Sequence, residues 1–174
     1  EESVSEEEIR MMVDAGSENG TIDEEEKELI QNVFEFDDLS ADDIATHRTD
    51  IDLLWLDDTV EKWEETIHES RHTFFPVCKD TVDNIVGVLN AKDYFRLKAK
   101  TIDNIMKSCV RPAFFVPETV KAAVLFRNMK QKRNYFAIVL DEYGGMTGIV
   151  TITDILESIV GDFDEDTIIA QDEA

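Results

Sequence analysis

Two stretches of this chain read alike. "DDTVEKWEETIHESRHTFFPVCKDTVDNIVGVLNAKDYF" at 57–95 runs alongside "PETVKAAVLFRNMKQKRNYFAIVLDEYGGMTGIVTITDIL" at 117–156. Thr59-Val60 falls on Thr119-Val120, Phe75 on Phe136, Gly87 on Gly148 and Asp93 on Asp154. The offset is 60 residues before the first strand and 61 after it, a loop difference of one residue. A repeat of this period is one supersecondary unit used twice, and such a unit buries its apolar face only against a neighbour.

Each unit predicts the same elements. A helix from Thr59 to about Glu69 carries Val60, Trp63 and Ile67 on one face, and its counterpart from Thr119 carries Val120, Ala123, Val124 and Phe126. A strand follows (from Phe74 to Cys78; from Tyr135 to Leu140), then a polar turn and a second strand (from Ile85 to Leu89; from Thr147 to Thr151). A helix closes each unit, from Ala91 and from Thr153. The expectation is an α+β fold of two β-α-β-β-α units in pseudo-twofold arrangement. The chain divides into an acidic helical lead-in at 1–44, a first unit at 45–106, a second at 107–166 and an acidic tail at 167–174.

The lead-in reads as a helical hairpin. "SEEEIRMMVDAG" opens on a Ser-x-x-Glu capping box and stops at Gly16, and "DEEEKELIQNVFEF" puts Leu29, Ile30, Val33 and Phe34 on one side of a second helix. "AGSENGTIDEEE" at 15–26 imitates a calcium-binding loop at its Gly, Ile and final Glu positions. Ala15 stands where the ion needs a carboxylate, and no second loop pairs with it, so a Gly-stopped hairpin is the reading.

Charge is unevenly placed within a net −23. Residues 1–44 hold 17 acids against 2 bases, residues 154–174 hold 8 acids and no base, and the stretch between holds 15 of each. A balanced centre argues against nucleic-acid binding, which needs cationic surface to displace counterions. The acidic ends read as solvated faces, with weak Mg²⁺ binding by clustered carboxylates as the alternative. No apolar run spans a bilayer and no signal peptide is present, and a chain that begins at Glu1 reads as a piece of a longer one. Cys78 and Cys109, without C-x-x-C spacing, read as reduced packing residues. Trp55 and Trp63 read as core or interface. His47, His68 and His72 meet no Ser or Cys nucleophile in a recognisable motif, and Asp141-Glu142 lie in a strand-to-turn stretch, so no enzyme is expected.

Both units end in Gly-apolar-apolar-polar-x-x-Asp: Gly87, Asn90 and Asp93 in the first, Gly148, Thr151 and Asp154 in the second. A helix cap explains Thr151 but does not require the Asp at the fourth place. The two copies resemble tandem cystathionine-β-synthase (CBS) domains. "FVPETV" together with "IVLDEYGGMTGIVTITDILESIVGDFDED", within 115–166, is similar to the second CBS domain of CorC/HlyC-type (hemolysin-like) proteins, relatives of the cyclin-M (CNNM) family. The acidic helices "EEEIRMMVDAGSENGTIDEEEKELIQNVFEF" resemble the segment that precedes the CBS pair there. The resemblance implies a regulatory, cytosolic domain of a cell-membrane protein linked to magnesium and cobalt transport. It also implies a homodimer, a transmembrane domain in the same full-length chain, and an adenine nucleotide (ATP, or ADP or AMP, with Mg²⁺) held between the copies. The alternative is a structural dimerisation module with a degenerate pocket.

The resemblance assigns the site residue by residue. Thr151 approaches a phosphate and Asp154 bonds the ribose hydroxyls, for which a carboxylate's acceptors are suited. A hydroxyl at a helix N-terminus adds a donor where the backbone already favours anions. Thr49, Asp50 and Ile51 of "RTDI" flank the adenine, and His72, Thr73, Phe74, Phe75 and Pro76 of "HTFFPV" form the other wall. A weaker second site uses Asn90, Asp93, Arg111, Asn134 and Tyr135. Three departures from the family pattern stand out. Phe74 replaces an Arg commonly found in His-Ser-Arg-Phe-Pro-Val, which removes a phosphate-pairing guanidinium that Arg71 is near enough in sequence to replace. Ala45-Thr46-His47-Arg48 replaces the usual Met-Thr-Pro-Arg entry, and Asn90 replaces Ser or Thr. One competent site is therefore expected rather than two.

Overall fold

The computed structural model describes residues 3–161; the end of the second unit and the acidic tail expected at 167–174 lie outside them. The lead-in forms α1 (Glu6–Glu18) and α2 (Glu24–Phe36), followed by the short α3 (Ala41–Ile44). Ser5 caps α1 by accepting the Glu8 N–H, and Asp23 and Glu26 form a reciprocal capping box on α2. α1 runs past Gly16 to Glu18, and the chain reverses at Gly20, whose φ of 78° suits a residue without Cβ. The calcium-loop positions are thus partly helical, and Asp23 is spent on the cap of α2.

The first unit is β2 (Leu54–Trp55), α4 (Val60–Glu69), β3 (Phe74–Lys79), β4 (Thr81–Asn90) and α5 (Ala91–Arg96). The second is β6 (Phe115–Pro117), α7 (Ala122–Lys132), β7 (Phe136–Leu140), β8 (Met146–Thr151) and α8 (Ile152–Val160). Both follow the expected β-α-β-β-α order. What the repeat did not announce is an exchange of strands. β1 (Thr46–His47) precedes the first unit in sequence but pairs with β8 of the second. After α6 (Ile102–Ser108), β5 (Val110–Arg111) precedes the second unit but pairs with β4 of the first. The two four-stranded sheets therefore run β1-β8-β7-β6 and β2-β3-β4-β5.

The sheets pack face to face, with helices outside. Cys78, Ile85 and Val88 of one sheet meet Phe136, Ile138, Met146 and Ile149 of the other. The outer face of the first sheet is covered by Trp63, Ile67, Tyr94 and Ile105, and that of the second by Leu125, Met129 and Ile155 together with Phe36 and Ala41 of the lead-in. Trp63 is a core residue whose indole N–H donates to the Trp55 carbonyl at 2.7 Å. Cys78 and Cys109 are buried and free, and burial, with Asp83 nearby, pushes the Cys78 thiol up to about 11, so it packs rather than reacts.

Three sequence expectations need correction. Val77 faces Gly87 and Val139 faces Gly148, so the counterpart of Phe136 is Phe74, not Phe75. Both rings reach the layer between the sheets and lie 5.2 Å apart, whereas Phe75 turns to the helix side, as strand alternation requires. α7 starts at Ala122 rather than Thr119, because the lead-in claims the preceding turn: the Ala41 N–H donates to the Val120 carbonyl at 2.8 Å and the Ala122 N–H to the Leu39 carbonyl at 2.9 Å. Its buried face is accordingly Ala122, Leu125 and Met129, with Val124 left exposed. On α2, Leu29 and Val33 are exposed, and Phe36 supplies the buried anchor instead.

Candidate functional site

The stretch from Thr46 to Trp55 leaves one sheet at β1 and joins the other at β2. Beneath this crossing, at the N-terminus of α8, lies a cleft of about 250 Å³. Gly148 permits the crossing, since a Cβ there would collide with the carbonyl oxygen of Thr46. The glycine that opens each repeat motif thus admits the crossing strand: at Gly87 a Cβ would lie 2.5 Å from Val110 Cγ1 and 3.0 Å from the Arg111 carbonyl oxygen.

Thr151 and Asp154 cap α8 reciprocally. The Thr151 Oγ1 accepts the Asp154 N–H at 3.3 Å, and Asp154 Oδ2 accepts the Thr151 N–H at 2.9 Å and its hydroxyl at 3.2 Å. The hydroxyl of Thr46 donates to Asp154 Oδ1 at 3.3 Å across the crossing. Oδ2 is therefore committed to the cap, while Oδ1 keeps acceptor capacity toward the cleft. Burial pushes the Asp154 carboxyl above its ordinary value, and the hydrogen bonds from Thr151 and Thr46 and the charge of His72 pull it back.

Six of the predicted residues come together here: Ile51, His72, Thr73, Phe74, Thr151 and Asp154. Arg71, named from sequence as a replacement for the missing guanidinium, lines the same cleft. The others do not join them. Thr49 lines a separate shallow groove with His47 and Arg48. Asp50 contributes its backbone: its carbonyl lies 3.0 Å from His72 Nε2, and because a carbonyl only accepts, Nε2 carries the proton. Phe75 is fully buried on the helix side, and Pro76, buried opposite Val88, sits too far along β3 to reach the cleft.

Sequence reasoning missed Thr46, Ile149, Thr153 and Glu157 as lining residues. Thr46 lay in plain sight in the entry stretch, and Glu157 is one helical turn from Asp154 on the same face. Chemically the cleft offers apolar walls at Ile51, Ile149 and Phe74, hydroxyls at Thr151 and Thr153, a guanidinium at Arg71 and a partly free carboxylate oxygen. That set fits a base, a ribose and an anionic group.

The second predicted set is arranged differently. Arg111 lies opposite Val88 as Thr46 lies opposite Ile149, so a guanidinium takes the place of the hydroxyl. The Asn90 side chain accepts the Lys92 N–H at 2.9 Å, and among the described residues Asp93 makes no hydrogen bond to it. Tyr135 is exposed just before β7, and Asn134 Oδ1 is buried without a hydrogen-bond partner among the described residues.

Comparison with known proteins fits this geometry. The family model for the CBS domain matches residues 102–161. The magnesium and cobalt efflux protein CorC of Pasteurella multocida (strain Pm70) is 37% identical over 168 residues, covering 94% of this chain and 56% of that protein. The CBS domain of a bacterial CNNM/CorC family Mg²⁺ transporter superposes with a TM-score of 0.82 at 31% identity, covering 94% of this chain and 100% of that one. A structure of such a domain in complex with ATP matches with a TM-score of 0.71 at 32% identity, covering 79% of this chain and 99% of that one. The chain spans about a third to just over half the length of the curated relatives it matches. With its exchanged-strand pair of β-α-β-β-α units and a structural match that covers 94% of its length, the chain belongs to the CBS-domain modules of the CNNM/CorC family.

Proposed function

We propose that this chain is a regulatory, non-enzymatic module that binds one adenine nucleotide in the cleft at the N-terminus of α8 and reports its occupancy to a membrane cation-transport domain. The observation that carries the reading is Asp154: its Oδ2 is fixed by the cap of α8 while its Oδ1 faces a cleft with apolar walls and Arg71. Oδ1 takes the ribose hydroxyls, Thr151 and Thr153 with Arg71 take the phosphates, and Ile51 and Phe74 flank the base. Mg²⁺ enters with a polyphosphate, whose charge the carboxylate of Glu157 opposes. Relatives named for magnesium and cobalt efflux and for Mg²⁺ transport support the cation, and a relative solved with ATP supports the ligand.

The full-length protein carries a transmembrane domain and places this module on the cytosolic side; within the described residues no helix is long and apolar enough to cross a membrane. The module assembles as a homodimer through helix faces that one pair leaves uncovered, where Phe95, Val124 and Leu156 are exposed. Nucleic acid is no partner. Calorimetric titration with ATP, ADP and AMP, each with and without Mg²⁺, tests the reading, and sedimentation tests the dimer. Phe74 supports one other reading, a structural dimerisation module: its ring packs on Phe136 where the family commonly has an Arg, and that reading requires no heat of binding from any of the three nucleotides.

A further inference from the structure

The lead-in and the strand that follows it hold α8 at both ends. At the N-terminal end, Thr46 on β1, which continues directly from α3, donates to Asp154 Oδ1 at 3.3 Å. At the C-terminal end, the side-chain amide of Asn32 on α2 donates to the Ile159 carbonyl at 2.9 Å. The last carbonyls of a helix have no partner within it, so Asn32 satisfies one of them from outside. The two ties are independent in sequence, 14 residues apart, and α8 is the element between them.

Resting on the nucleotide reading above, we infer that Thr46 is a positioning residue for Asp154 and that Thr46 and Asn32 together make α8 the link through which cleft occupancy reaches the α1–α2 hairpin. Thr46 has one hydroxyl proton, and it spends it on the carboxylate oxygen that a ribose would use. A bound ribose adds donors to Oδ1 and draws the same oxygen toward the cleft, so Thr46 must move with it or release it. Either response acts on β1 and hence on α3, which is continuous with it. Any displacement of α8 along its axis is felt by α2 through Ile159 and Asn32. A ligand shifts such an element only by its differential interaction with the two arrangements, and Oδ1 is where that difference arises.

The test uses the chain as described, with ATP and Mg²⁺ as the probe, by calorimetry and hydrogen exchange. Thr46→Val keeps the shape and removes the hydroxyl; it weakens binding by about tenfold, and Thr46→Ser restores it. The groups facing Asp154 are His72 and Arg71 on the stretch entering β3, Glu157 on α8, and the two threonines. Because the Thr46 hydroxyl favours the ionised carboxyl, its loss moves the acid-side fall of affinity to higher pH, which a merely structural role would not do. Nucleotide slows exchange of α2 amides in the wild type, and Asn32→Ala, remote from the cleft, abolishes that slowing while binding persists. Nucleotide binding without any change in α2 exchange, or slowing that survives Asn32→Ala, overturns the inference alone. No binding by the wild type overturns the nucleotide reading as well.

Discussion

The two halves of the molecule close with the same string, yet they end it in different chemistry. In the second half Thr151 and Asp154 exchange hydrogen bonds across the first turn of α8, and Thr46 from the crossing strand adds another. In the first half Asn90 satisfies the Lys92 N–H by itself, which leaves Asp93 outside the cap, and Arg111 stands where Thr46 would. A Thr hydroxyl both accepts and donates, so it receives the helix N–H and still gives a proton to the carboxylate. In the first half the Asn90 N–H also donates to the Cys109 carbonyl at 2.9 Å, so the backbone donor that holds Asp154 in the second half is not offered to Asp93. Asp154 thus presents a fixed acceptor to the cleft, and Asp93 does not share that cap.

The difference between the halves is breakable in a definite order. The largest effect belongs to Gly148→Ala, where a Cβ meets the backbone oxygen of Thr46 and β1 has to leave β8. Thermal unfolding registers a loss of about 3 kcal/mol, and nucleotide binding disappears with it. Gly87→Ala meets a valine methyl first, which can rotate away, and costs about half as much. Equal losses would mean that the Val110 methyl cannot give way and that both crossings are equally tight.

Asp154→Ala comes next. It strips acceptors from the Thr151 N–H and hydroxyl and from Thr46, so the unliganded protein loses about 1–2 kcal/mol as the cap opens. Affinity for ATP falls by at least about tenfold. Asp93→Ala, which removes no cap bond, leaves affinity within about twofold of wild type. Calorimetry on the pair decides between one competent site and two.

Phe74→Arg sharpens the comparison from the other side. It places a guanidinium at the mouth of the cleft and removes a ring that packs on Phe136 at 5.2 Å. ATP affinity rises relative to AMP by about fivefold, because only the longer phosphate chain gains a bidentate partner, while the melting temperature drops by a few degrees.

The smallest effect is on pH. Burial raises the Asp154 carboxyl in the folded state, so the stability it lends is fully present below the unfolded value and is lost as pH rises through the folded one. Asp154→Asn, which cannot ionise, therefore melts progressively later relative to wild type as pH rises from the acid range to neutrality. Nucleotide affinity runs the opposite way in the wild type, because the ribose needs the ionised form. A melting difference that is flat with pH would mean that Asp154 is solvated enough to titrate normally.

Much of this was legible along the chain. The apolar spacing of Val60, Trp63 and Ile67 gave α4 to within one residue at its start, and the twofold recurrence of Gly-apolar-apolar-polar-x-x-Asp marked both helix-entry sites. It failed wherever a distant segment intervenes. The start of α7 was misplaced because residues 39–41, some eighty positions earlier, take the hydrogen bonds of the turn before it. Phe75 was assigned to the cleft because the "HTFFPV" string does not say which of two adjacent aromatics faces inward; strand register does, and it chose Phe74.

The amino-acid order by itself determined that there are two like units, what helices and strands each contains, and which residue types meet the N-terminus of each closing helix. Those are local matters of periodicity, capping and turn chemistry, which neighbours within a few residues decide. Only the tertiary structure decided that the strand entering each unit joins the other unit's sheet, that Thr46 lands on Asp154, and that Asn32 reaches Ile159. The pairing of β1 with β8, the Thr46–Asp154 bond and the Asn32–Ile159 bond each join groups more than 100 residues apart, and a hydrogen bond between such groups exists only once two sheets have packed and fixed their positions.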